Sequence, residues 1–217
     1  MKRGMRFIRL VFGLFLFALG SVGVMNSNLG FGPWELFQAG IANHMPLSIG
    51  QATVLVSVII VGIILLLKET IGVGTLANMA FIGIFMDLII KAGVVPSGAG
   101  FISGLCLLAA GLFTTAFGSY YYISSGFGAG PRDSLMVAIR RRSGLSIGMS
   151  RCILECSAAG AGWLLGGPLG AGTFITAFCL GWCVQLVFRL FSFEATAVAH
   201  ESLMSTLHIR RKNKADL

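Results

Sequence analysis

Two charged residues, Arg151 and Glu155, lie within an otherwise apolar stretch of the sequence. Residues four positions apart share one face of a helix, so the two side chains can meet. Ionisable groups inside a membrane span are costly to bury and mark ligand sites or proton pathways. The pair therefore indicates proton coupling or ligand binding. The alternative is a structural ion pair that fixes one helix within a bundle.

A second pattern, Gly-x-Gly-Pro-x-acid, occurs twice in the chain. Its residues are Gly30, Gly32, Pro33, Trp34 and Glu35 in the first copy and Gly128, Gly130, Pro131, Arg132 and Asp133 in the second. Glycine permits backbone conformations that end a helix, and proline suits the first turn of a new one. A carboxylate in that first turn is stabilised by the positive end of the helix dipole. The pattern predicts a broken helix and a new N-terminus at two places.

These two helix starts have two interpretations. Half-helix N-termini near the membrane midplane hold anionic groups in transporters built from inverted repeats. The candidate gating or substrate-binding residues are then Trp34, Glu35, Arg132 and Asp133. Arg132 would add a cation, and Trp34 could stack on a flat or cationic ligand. Alternatively, each helix lies flat in the membrane interface, since the basic run at residues 140–142 is typical of a lipid-headgroup anchor. The sequence leaves open whether the helices are re-entrant or interfacial.

Polar residues in two further apolar stretches extend the candidate site. Asp87 lies near one end of its stretch, and Gln185 is the residue 98 positions later. Both could point into a central cavity, as could Asn78 and Gln51. Asp87 has a second interpretation, in which it pairs with Lys91 one turn further along as a snorkelling surface pair.

The composition identifies the elements that must position these residues. Of 217 residues, 56% are hydrophobic and 11% are charged, against about 25% charged in an average soluble domain. This balance excludes a soluble globule and a disordered chain, and it is typical of a polytopic membrane protein. Six stretches are long enough to cross a bilayer as helices. They are Phe7–Met25, Ile49–Leu67, Val73–Ala92, Gly100–Ile123, Ile147–Leu165 and Gly170–Phe191.

The net charge of +8 reflects membrane topology. With six spans and both termini in the cytoplasm, every basic residue except Lys91 lies on the cytoplasmic side, as the positive-inside rule requires. The charge therefore indicates orientation rather than nucleic-acid binding. Residues 192–217 form a basic cytoplasmic tail, which either lies on the inner membrane surface or is solvated.

The chain also contains an internal repeat. A shift of 98 residues aligns the two Gly-x-Gly-Pro elements, and it aligns Leu-Ser-Ile-Gly at 47–50 with the same sequence at 145–148. The two units, residues 1–98 and 99–191, each contain three predicted spans. Because three is odd, the second unit enters the membrane in the opposite orientation. We expect an all-α integral membrane protein with six transmembrane helices in a 3+3 inverted repeat, a plan common among secondary transporters.

These paired elements, together with Gly-x-Gly-Thr at 72–75 and 170–173, resemble those of the YczE/YitT-type bacterial integral membrane proteins. The resemblance runs from about Phe7 to Leu190. It is closer to the YczE branch, because YitT-type proteins carry a soluble C-terminal domain where this chain has a short tail. It implies a multi-pass protein of the bacterial cytoplasmic membrane. Some relatives are classed as drug or antibiotic exporters, and the family implies no catalytic residues.

We therefore expect a secondary transporter, with export as one direction, that moves a small organic molecule or ion by alternating access. Its partners would be the lipid bilayer and that substrate. The alternative is a non-transporting membrane scaffold or accessory protein. We expect no metal, because the five cysteines lie within spans without a firm ligand pattern. We expect no enzyme activity or cofactor, because the Gly-x-Ser-x-Gly pattern at 144–148 lacks the strand and the His and acid partners of a hydrolase site. Glycine stripes in the first span of each unit predict close helix packing, within the chain or in a homodimer.

Overall fold

The computed structural model describes residues 3–69 and 71–193. These residues form eight helices with no strand among them. The helices are α1 (Arg3–Asn26), α2 (Pro33–His44), α3 (Ile49–Leu66), α4 (Val73–Ala92), α5 (Phe101–Ser124), α6 (Pro131–Ser143), α7 (Ile147–Leu164) and α8 (Ala171–Leu190). The short helices α2 and α6 follow the two Gly-x-Gly-Pro elements, as predicted. The predicted cytoplasmic tail lies, from residue 194 onward, outside the described residues.

Five of these helices are long and apolar enough to cross a membrane, namely α1, α3, α4, α5 and α8. The sixth predicted span is also a helix, α7, and its bounds agree with the prediction to one residue. Like α3, it is 18 residues long, but it is less apolar because it contains Arg151 and Glu155.

Local signals begin the helices where the sequence indicates. The Ser48 and Ser146 hydroxyls each accept a hydrogen bond from the backbone N–H three residues on, at 3.0 and 3.2 Å. Each bond satisfies one of the free N–H groups of a first turn. Pro33 and Pro131 begin α2 and α6, where the missing N–H of proline costs no hydrogen bond.

Helices α1 and α5 pack closely against each other at the centre of the bundle. A Cβ atom added at Gly13 would fall on the backbone of Tyr122, and one at Gly118 would fall on the backbone of Phe17. Stripes of small residues allow this approach, since van der Waals contact drives helix association in lipid. The predicted glycine stripes therefore serve packing within the chain.

The helices recur at a fixed separation. Helices α5, α6, α7 and α8 each begin 98 residues after α1, α2, α3 and α4, respectively. Two backbone hydrogen bonds have the same separation. Gly74 N–H donates to the Phe127 carbonyl at 2.8 Å, and Gly172 N–H donates to the Leu29 carbonyl at 2.6 Å. They anchor the segments that lead into α2 and α6, and so position both helix starts.

Candidate functional site

Helix α2 begins in the interior of the protein. The backbone turns at Gly30, whose φ of 112° favours glycine. Trp34 and Glu35 in the following first turn are buried, and α2 packs between α7 and α3. A buried first turn does not fit a helix that lies flat on the membrane surface.

Helix α6 also begins in the interior, and it ends at the surface. Pro131 and Leu135 are buried, whereas the three arginines at 140–142 are exposed. Arg141 donates to both carboxylate oxygens of Glu69, at 2.9 and 3.0 Å. Arg142 donates to the Leu67 carbonyl at 3.0 Å. The basic run is therefore held in part against the end of α3, and the predicted lipid-headgroup role can apply only to this last turn.

The starts of the two short helices meet inside the bundle. Arg132 Nη1 of α6 lies 3.5 Å from Glu35 Oε1 of α2. The Arg132 guanidinium also lies 4.8 Å from the centre of the Trp34 ring, in a cation–π contact. Ser21 of α1 donates to the same Glu35 oxygen at 3.3 Å. Two elements that are far apart in sequence thus form one polar centre.

The predicted pair on α7 joins this centre. Arg151 Nε lies 3.9 Å from Glu155 Oε1, one helical turn apart. Glu155 also interacts electrostatically with Arg132 and Glu35. Because these neighbours come from α2 and α6, Glu155 belongs to the polar centre and not to a separate ion pair.

A cavity of about 130 Å³ lies where α2, α6 and α7 converge. Six predicted site residues line it, namely Trp34, Glu35, Arg132, Asp133, Arg151 and Glu155. Asn78 lines it as well, in agreement with the expectation for that residue, whereas Gln51 is exposed and does not line it. Three carboxylates, two guanidiniums and an indole around one small space can bind a charged or polar ligand by ion pairing, hydrogen bonding and stacking.

Asp87 and Gln185 are not among the residues that line this cavity, contrary to the expectation for both. Asp87 accepts hydrogen bonds from the Ser48 hydroxyl at 2.5 Å and from the Gly50 N–H at 2.9 Å. These bonds tie α4 to the start of α3 and hold the Asp87 carboxyl away from the centre. Gln185 lines a separate surface groove near the end of α8, together with Phe188, Arg189, Ser192 and Phe193.

Two residues that line the cavity were not predicted from the sequence. The Tyr122 hydroxyl donates to Asp133 Oδ2 at 2.5 Å. Thr176 of α8 is buried beside the cavity, and its hydroxyl has no hydrogen-bond partner among the described residues. The repeat offers one signal that could have found Thr176, because it lies 98 positions after the polar Asn78.

Metal ligation has little support in this region. The described residues contain no group of three or more histidine, cysteine, aspartate or glutamate side chains that could hold a metal ion. The sulfur atoms of Cys152 and Cys156 lie 3.9 Å apart on an exposed face of α7. These two thiols have no third ligand beside them.

Comparison with known proteins places the chain among membrane proteins. The model of a family of unknown function, DUF6198, matches residues 4–189. A Bacillus subtilis protein described as the uncharacterized membrane protein YczE is 33% identical over 171 residues, which are 78% of this chain and 79% of YczE. An uncharacterized Haemophilus influenzae protein is 35% identical over 181 residues, covering 83% and 82% of the two chains.

A third relative extends the same comparison. The uncharacterized protein YyaS of Bacillus subtilis is 28% identical over 187 residues, which are 85% of this chain and 92% of YyaS. No solved structure matches the chain. These matches confirm the resemblance to the YczE branch that the paired glycine-rich elements indicate.

Proposed function

Since the chain belongs to the DUF6198 family, whose function is unknown, we propose from its own geometry that it is a secondary transporter of a small organic molecule or ion. The observation that carries the proposal is the cavity of about 130 Å³ with three carboxylates and two guanidiniums around it. Charges among membrane helices are costly, and a protein that only holds others in place does not need them. In transporters such charges bind the substrate or carry protons.

The proposal includes α7 as a sixth membrane span. This helix has the length of α3, which is among the five apolar helices. Its charged residues, Arg151 and Glu155, line the cavity, so they need not face lipid. Six spans with both termini cytoplasmic give a 3+3 inverted repeat in the bacterial cytoplasmic membrane. The matched helix starts and the paired backbone hydrogen bonds support this arrangement.

Alternating access follows from this topology. Ser48 and Asp87 would lie at the outer ends of α3 and α4, where their hydrogen bond joins the two helices. The equivalent positions, Ser146 and Gln185, would lie at the inner ends of α7 and α8. A Cβ added at Gly148, near the inner end of α7, would meet no atom within 4 Å. In this topology α3 and α4 are joined at the outer side, whereas α7 is unpacked at Gly148 near the inner side.

Two successive measurements test the proposed function. First, the purified protein is screened by thermal unfolding against a broad panel of metabolites and antibiotics. Every compound that raises the unfolding temperature is then tested for flux in proteoliposomes, with and without a pH gradient. We expect flux of at least one such compound. If compounds bind and none crosses the membrane, transport is wrong and the accessory or scaffold role replaces it.

A further inference from the structure

The charges around the central cavity do not balance. The three carboxylates are Glu35, Asp133 and Glu155, and the two guanidiniums are Arg132 and Arg151. Each guanidinium has a carboxylate within ion-pair distance, at 3.5 Å for Arg132 with Glu35 and 3.9 Å for Arg151 with Glu155. The remaining carboxylate, Asp133, hydrogen-bonds the neutral hydroxyl of Tyr122. One formal negative charge in the cavity, that of Asp133, therefore has no cation of the protein within ion-pair distance among the described residues.

The aromatic groups of the cavity suit a cation. The Trp34 ring already accepts the Arg132 guanidinium, whose carbon lies 4.8 Å from the ring centre. The rings of Phe17 and Tyr122 also line the space, and they contact each other edge to face. Aromatic faces attract ammonium groups through the ring quadrupole, most strongly where water is excluded.

A buried hydroxyl on the cavity wall gives an independent indication of a ligand. Thr176 is 6% exposed, and its Oγ1 has no hydrogen-bond partner among the described residues. Buried polar groups are nearly always hydrogen-bonded, so an unpaired one needs an explanation. A hydrogen-bonding group on a bound molecule would supply that partner.

The size of the cavity limits the ligand. Its volume is about 130 Å³, slightly less than the roughly 150 Å³ of an engineered protein cavity that holds benzene. A ligand of roughly six non-hydrogen atoms fits this space. Larger drugs do not fit without a change of conformation.

Resting on the proposed function, we infer that the cavity binds a small monovalent organic cation that carries one hydroxyl or similar hydrogen-bonding group. The ammonium group lies beside Asp133 and the ring of Tyr122. The hydroxyl group pairs with Thr176 Oγ1. The ligand charge then neutralises the carboxylate that the two arginines leave unpaired.

The test compares three probes of one shape and different charge on the purified full-length protein. They are choline, the neutral 3,3-dimethyl-1-butanol and the anionic 3,3-dimethylbutyrate. We expect choline to raise the unfolding temperature saturably, and the neutral compound to need about tenfold higher concentration for the same shift, since it lacks the positive charge that Asp133 and the aromatic rings attract. Equal effects of choline and the neutral compound, stronger binding of the anion, or no effect of any probe would overturn the inference.

Two variants locate the binding groups. Asp133→Asn is expected to weaken choline binding about tenfold, whereas Glu69→Gln, which removes a carboxylate outside the cavity, leaves it unchanged. Thr176→Val is expected to weaken choline about fivefold and to leave tetramethylammonium, which has no hydroxyl, unaffected. Equal loss of both cations in Thr176→Val would contradict the hydroxyl contact. Should Asp133→Asn fail to fold, the three-probe comparison on the unmodified protein still decides the charge preference.

Flux measurements separate this inference from transport itself. Choline binding without flux in proteoliposomes leaves the cation site in place and overturns transport. Flux of an anion, with choline neither bound nor carried, supports transport and overturns the cation site.

Discussion

The helix pairs α3–α4 and α7–α8 occupy equivalent positions 98 residues apart in the chain, yet they pack differently. Helices α3 and α4 touch, and a Cβ added at Gly83 would collide with the Gly50 carbonyl. The equivalent glycines of the second pair, Gly148 and Gly181, would each meet no atom within 4 Å. The same small-residue pattern thus accompanies a closed cleft between α3 and α4, the first cleft, and an open cleft between α7 and α8, the second cleft.

The difference lies also in the polar residues at the ends of the clefts. Asp87 accepts bonds from Ser48 and from the Gly50 N–H, and so joins α3 to α4. At the equivalent place Ser146 caps α7, while Gln185 faces a separate groove. A carboxylate accepts stronger hydrogen bonds than an amide does. The first cleft is therefore held closed by the bonds to Asp87, whereas the described residues of the second cleft have no equivalent bond.

The largest expected effect comes from filling the two clefts. Gly83→Val overpacks the closed α3–α4 contact and should destabilise the described conformation by about 1–3 kcal/mol. Gly181→Val meets open space and should leave stability unchanged. On the proposed function it should nevertheless reduce flux strongly, because the second cleft can no longer close. Thermal unfolding and proteoliposome flux measure both effects. Normal flux in Gly181→Val would show that the α7–α8 cleft does not need to close.

The next effect concerns the charges that distinguish α7 from α3. Glu155 on α7 has Ser57 as its equivalent on α3, and both line the cavity. If Glu155 carries the proton, Glu155→Gln should abolish flux driven by a pH gradient, while the protein remains folded. Ser57→Ala is the matched control and should keep most of the pH-driven flux. Unchanged pH-driven flux in Glu155→Gln would remove the coupling role and leave a structural ion pair.

A smaller effect is expected at the hydrogen-bonded end of the α3–α4 cleft. Asp87→Asn replaces the carboxylate that accepts the Ser48 hydroxyl and the Gly50 N–H, and should lower stability by about 1 kcal/mol. Gln185→Ala, at the equivalent place on α8, should change it by less than about 0.5 kcal/mol. Unfolding temperatures of the two variants give the comparison. Equal losses would mean that Asp87 does not account for the difference between the clefts.

Much of the fold could be predicted because its signals are local. A serine cap or a proline in the first turn begins α2, α3, α6 and α7, and these starts follow directly from the residue types. The start of α1 is less local: it lies at Arg3 instead of the predicted Phe7. Arg6 there contacts the Phe127 ring at 4.8 Å, and so helps to hold a basic turn that the apolar pattern leaves out.

The site was predictable only in its parts. The motif identifies Glu35 and Arg132, but their meeting depends on how two distant elements pack. The contact of Asp87 with Ser48 was not predicted, because Ser48 is 39 residues away and shows no pattern with it in the sequence. Thr176 was missed because a lone threonine in a span ordinarily bonds the carbonyl one turn back and needs no other partner.

The smallest expected effect concerns two contacts that occupy equivalent places at the ends of α2 and α6. Asn43 donates to the Gly166 carbonyl at 3.0 Å, and Arg141, 98 residues later, pairs with Glu69. The Arg141 side chain is 68% exposed, so Arg141→Ala should cost less than about 1 kcal/mol. Salt should reduce that cost by screening the ion pair, whereas the cost of Asn43→Ala should not depend on salt. Unfolding measured in 50 mM and in 1 M salt separates the two contacts, since an equal salt response would mean that charge plays no part in holding α6 against α3.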